Sequence, residues 1–106
     1  MHRSEYVRRV LEAYRTAPGT GGAVRGPDRL FAAQLYERGA GLEAVENALI
    51  LAAARRLARP AGAPPLGVIR SLAYFSPVIE EVLGMKVGPE YFRHLRRRVA
   101  RLTEAL

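Results

Sequence analysis

Glycine and proline fall in clusters along this 106-residue chain, and between the clusters apolar residues recur at intervals of three and four. The breaks lie at Pro18 to Pro27, Gly39 to Gly41, Pro60 to Gly67 and Gly84 to Pro89. Segments rich in these two residues do not continue a helix, whereas three-four spacing keeps one stripe of a helix against a partner surface. No stretch alternates apolar and polar residues long enough for a strand, and no hairpin dipeptide separates β-branched runs. The pattern predicts an all-α fold, a single compact bundle of about five helices with Gly/Pro-rich connectors. A chain of this length supports one such core, so residues 1–106 read as one domain.

The first helix is predicted from about Ser4, a plausible N-cap, to Thr16, with Tyr6, Val7, Val10, Leu11 and Tyr14 on one face. The second opens at Pro27 and Asp28, where Asp28 suits the cap position. Leu30, Phe31, Ala32 and Leu35 face inward, and Gly39 closes the helix. From Leu42 the third helix becomes apolar almost all round over Ala48 to Ala54, which predicts the buried central helix. Arg55, Arg56 and Arg59 follow at its negative end, and Pro60 stops it. A fourth helical region, Val68 to Leu83, turns Ile69, Leu72, Phe75, Ile79, Val82 and Leu83 to the core. Pro77 either kinks it or starts a new turn capped by Ser76, and Gly84 ends it. The fifth helix starts at Pro89 and runs to Leu106.

This last helix carries the strongest functional signal. Phe92, Leu95, Val99, Leu102 and Leu106 form its apolar stripe, and Arg93, Arg96, Arg97, Arg98 and Arg101 lie between them. Positions 93, 97 and 101 are one turn apart, so three guanidinium groups align along one flank with Arg96 beside them. A leucine in register at position 106 predicts packing along the whole helix, either on the domain's own core or on a second chain. The chain as a whole has 17 Lys+Arg against 10 Asp+Glu, a net charge of +7 and a pI near 10.8. That balance points to a polyanionic partner. All but Lys86 of these cations are arginine, whose planar fork grips phosphate and stacks on bases. A GC-rich genome explains the arginine-to-lysine ratio equally well, but it does not explain the net charge. Arg8, Arg9 and Arg15, with Arg55, Arg56 and Arg59, are the supporting phosphate contacts in this reading.

Catalytic constellations are thin. There is no cysteine, and neither His2 nor His94 has a metal-ligating residue four positions on. Glu80 and Glu81 diverge by about 100 degrees on a helix and cannot converge on one atom. Asp28 is the only aspartate. Gly19 to Gly22 lacks the Gly-Lys-Ser/Thr ending and preceding strand of a phosphate loop. The expectation is a non-enzymatic protein with no cofactor and no metal. Low aromatic content and the absence of tryptophan limit stacking platforms of the OB or RRM kind. Met1 to Val10 has no apolar signal region and no window is long enough to span a membrane, which makes the cytoplasm the default address.

Ala32 to Leu49 has the spacing of a helix-turn-helix, but its outward residues would be Glu43, Glu46 and Asn47, and carboxylates beside phosphates are repelled. These two helices read better as core. Leu42 to Ala54, followed by Ser71-Leu72-Ala73-Tyr74-Phe75-Ser76-Pro77-Val78-Ile79, resembles the C-terminal helical modules of DnaD-like replication and mobile-element proteins. In that family an amphipathic I-x-x-A-L-x-x-A helix precedes one carrying a Tyr-x-x-x-Ile motif, for which Tyr74 and Val78 stand here. Pro77 falls inside the motif, and the family's following tryptophan is missing. The resemblance implies DNA binding or help in loading replication machinery. Together these readings predict a basic accessory subunit of a prokaryotic replication, mobile-element or RNA-guided nucleoprotein complex. Such a subunit contacts DNA or RNA phosphates and a larger protein partner or further copies of itself. The alternative is a protein-interaction adaptor that seats the amphipathic C-terminal helix on its partner.

Overall fold

The apolar segment Ala48 to Ala54 lies at the centre of the molecule, inside a helix with buried residues on almost every side. The computed structural model describes residues 1–104, so Leu106 lies outside the described residues. Among them the order is α1 Arg3–Thr16, α2 Gly26–Glu37, α3 Leu42–Leu57, a 3-10 turn Leu72–Phe75, α4 Ser76–Leu83 and α5 Pro89–Glu104. α1, α4 and α5 all pack on α3, while α2 packs on α1 and on the 3-10 turn. Small side chains at Ala48, Ala53 and Ala54 let the neighbouring helices approach α3 closely. One cluster of buried residues joins every element, from Tyr6, Val10 and Tyr14 through Leu35, Val45 and Leu49 to Ile79 and Val99. The all-α bundle expected from the Gly/Pro breaks is the fold observed.

Helix starts differ from the sequence reading. Ser4 does not cap α1. The helix begins one residue earlier with His2 extended at the cap position, and no side chain satisfies its first N–H groups. Residues 1–5 are all exposed, so water serves those donors. Asp28 is not the cap of α2 either, because Gly26 and Pro27 already lie inside the helix and Pro27 has no N–H to lose. It occupies the third position, and its carboxylate works in two directions. Oδ2 accepts the Arg25 N–H at 2.9 Å, and Oδ1 accepts the Leu72 N–H at 2.9 Å. With only 2% of its surface exposed, Asp28 ties the start of α2 to the start of the 3-10 turn.

The end of α2 follows its glycine. Gly39 adopts φ +78°, the Gly39 N–H reaches Tyr36 O at 3.0 Å, and the Ala40 N–H reaches Leu35 O at 3.0 Å. This double closure needs a left-handed residue. The Tyr6 hydroxyl then donates to Ala40 O at 2.6 Å, fastening α1 to the same turn, and burial pushes the Tyr6 phenol above its ordinary value.

The fourth region is not one helix. Residues 68–71 are extended and meet the first Gly-rich connector: the Ile69 N–H donates to Gly19 O at 2.8 Å, and the Gly21 N–H to Ile69 O at 3.2 Å. The 3-10 turn follows, and α4 restarts with Ser76 as its first residue rather than its cap and Pro77 just behind it. A proline in mid-helix would remove a hydrogen bond and clash with the preceding turn, so the break falls where its missing N–H costs nothing. Ile69, Leu72, Phe75, Ile79 and Val82 are buried as expected, but Leu83 and Leu30 are exposed.

Candidate functional site

Burial of Phe92, Leu95 and Val99 against α3 sets the rotation of α5. Helical phase then sends positions 93, 97 and 101 to the outer flank, and Arg93, Arg97, Arg98 and Arg101 are all exposed, as is His94. Arg93 is partnered within the helix by Glu90 at 3.2 Å. Arg97, Arg98 and Arg101 have no carboxylate within ion-pair distance among the described residues. Leu102 is half-buried.

Arg96 has a different role. It turns inward, half-buried, and its Nη2 donates to Asn47 Oδ1 at 2.7 Å. Asn47 is buried on α3, and an amide left unsatisfied there would cost about 1–3 kcal/mol. The bond fastens α5 to α3. Neither it nor Glu46, half-buried in the crease between α1 and α3, protrudes as a recognition helix would require, and α2 makes its packing contacts with α1 and the 3-10 turn.

The remaining arginines divide by what holds them. Arg8 and Arg9 are exposed on α1. Arg15 grips Glu12 at 2.7 and 3.2 Å. Arg55 grips Glu81 at 2.6 and 2.7 Å, joining α3 to α4; Arg38 grips Glu80 at 2.5 and 3.2 Å, joining the end of α2 to α4. Hydrogen bonds from these guanidinium groups hold both glutamates below the ordinary carboxylate range. Arg56 donates to Gly67 O at 2.5 Å and Arg59 to Pro64 O at 2.6 Å, so these two brace the connector after α3. Arg56 also lies against Gly19, where φ is +89° and an added Cβ would sit 2.5 Å from Nε. The periodicity put these cations at a helix end, but gave no sign of their carbonyl partners, which lie in irregular segments.

Two surface hollows involve these residues. Between α1 and α2 an open groove of about 840 Å³ is lined by Val7, Leu11, Leu30 and Ala33 together with Arg8 and Arg29. Leu30, assigned to the core by spacing, is 60% exposed here, because α2 turns Ala32, Ala33 and Leu35 inward instead. At the end of α3 a cleft of about 310 Å³ is lined by Arg55, Arg56, Arg59, Leu66, Tyr74 and Val78. The cleft thus unites the third-helix arginines with Tyr74.

Among the described residues no group of three His, Asp or Glu side chains could hold a metal ion, and no helix is long and apolar enough to cross a membrane. None of the protein-family models, curated proteins or solved structures compared with the chain matches it.

Proposed function

We propose that the protein is a non-enzymatic nucleic-acid-binding module that clamps phosphates with arginines on the outer faces of α5 and α1. The observation that carries this reading is the row Arg97, Arg98 and Arg101, exposed and without a carboxylate partner among the described residues, in a chain of net charge +7. Arg93 extends the row, and Arg8 and Arg9 add a second basic face. Arg15 and Arg55 contribute less, since Glu12 and Glu81 already compensate their charge. Arg96 acts by fixing the helix that bears the row. Phosphate contacts of this kind position a protein without reading sequence and gain their free energy from released counterions. The resemblance to DnaD-like modules supports an accessory role in a cytoplasmic prokaryotic replication, mobile-element or RNA-guided complex. The test is a salt titration with DNA of unrelated sequences. Affinity should fall log-linearly with salt and alike for all of them. No measurable binding at low salt overturns the reading.

A protein-interaction role is the second reading. The apolar stripe of α5 is covered by α3 through Phe92, Leu95 and Val99, so the feature that favours a protein partner is the α1/α2 groove with its exposed Leu30. Affinity for such a partner would depend on desolvated apolar contact and change little with salt.

A further inference from the structure

We infer that the cleft at the end of α3 is a subsite for one unpaired nucleotide, with the base against the Tyr74 ring and its phosphate on Arg56 and Arg59; this rests on the nucleic-acid reading above. The cleft is lined by groups of two different chemistries. Leu66, Tyr74 and Val78 supply apolar surface, and the three arginines supply charge. A nucleotide has the matching division, a flat base joined through its sugar to an anion.

Tyr74 is 53% exposed, whereas its neighbour Phe75 is 1% exposed in the core. The two rings meet edge to face at 5.2 Å and 83°, so a buried residue orients the exposed one. Folding leaves much of the tyrosine surface in water, where it is available to stack.

The charge of the cleft comes mainly from two residues. Arg55 is neutralised by Glu81. Arg56 and Arg59 donate to the carbonyls of Gly67 and Pro64, which are neutral acceptors. Each guanidinium has five N–H donors, and a carbonyl leaves its positive charge uncompensated. These bonds also hold both side chains in place before any ligand arrives, which lowers the ordering cost of binding.

Stacked duplex bases present no free face, so only single-stranded or flipped-out nucleotides can use the tyrosine. The subsite therefore distinguishes single strands from duplex, which the arginine row on α5 does not. Because every base has a flat face, it needs no particular sequence.

The experiment measures anisotropy of a labelled mixed-sequence single strand and of the corresponding duplex, on the full chain at fixed low salt. Tyr74→Ala should weaken single-strand binding roughly ten- to hundredfold, the scale of one lost stack, and leave duplex binding unchanged. Tyr74→Phe keeps the ring and should bind as the parent does. Tyr74→Leu keeps apolar bulk against Phe75 and should lose single-strand affinity as the alanine variant does, which guards against an effect of unfolding. Arg59→Gln should lower the salt slope on single strands by about 0.7. Equal affinity of Tyr74→Ala and the parent for single strands overturns the subsite, as does an equal loss on both ligands. A parent protein that binds neither ligand overturns the nucleic-acid reading itself.

Discussion

A single buried carboxylate can hold two helices in register. Asp28 accepts one N–H from its own helix start and one from Leu72, and replacement by asparagine would leave only one acceptor for two donors. Asp28→Asn should therefore destabilise the domain by about 1–3 kcal/mol, read as a lower urea midpoint. No spacing rule identifies this role, because Leu72 is distant in sequence and only folding brings its N–H to the carboxylate. The Glu80 and Glu81 pairs act differently because they are exposed. Both titrate below the ordinary value of 4.5, through hydrogen bonds from Arg38 and Arg55. A depressed folded value means that the pairs stabilise the fold above that pH and that the gain disappears as pH falls through the folded values. A Glu80→Gln, Glu81→Gln variant should be less stable than its parent near about pH 7, and the difference should shrink as pH falls below 4.5 through the folded values. A difference that persists in acid would assign the effect to packing.

Element identity was readable wherever a three-four rhythm met a Gly or Pro stop, and α3 was recognisable as the central helix from its all-round apolar run. The rhythm fixes which face is apolar but not which neighbour will cover it. Leu30 and Leu83 kept the period and still emerged on the surface. Spacing alone places residues 68–71 in a helix, whereas their extended form depends on Gly19 and Gly21, far away in the chain. Leu49 and Ile79 lie where two packed elements meet, both nearly inaccessible, so truncating either to alanine should cost about 2–5 kcal/mol in denaturant unfolding. The stripe of α5 is tested by Leu95→Asp, which puts a carboxylate against α3. Thermal stability should fall by the same amount at every protein concentration, since the surface that covers Leu95 belongs to the same chain.

Across the whole molecule, charge is distributed by what the fold has already used. Among the described residues five ion pairs occupy Glu12, Glu37, Glu80, Glu81 and Glu90. The excess of arginine is evident in the composition, but which arginines stay unpaired depends on α4 lying against α3, which brings Glu80 to Arg38 and Glu81 to Arg55. Changing Arg93, Arg97 and Arg101 together to glutamine should leave unfolding unaffected and flatten the salt dependence of duplex binding by roughly two to three units. An unchanged slope would move the phosphate contacts to Arg8 and Arg9. Gly19 lies in the connector after α1 and Arg56 in the last turn of α3, and the guanidinium occupies the space a side chain at 19 would need. Among descendants of this chain the glycine is the less free of the two to drift. Arg56 can be lost first at the cost of a looser connector, whereas a larger residue at 19 must both displace the Arg56 side chain and take up a positive φ that side chains rarely adopt. The order of substitution is thereby constrained, and a lineage that retains the arginine should retain the glycine with it.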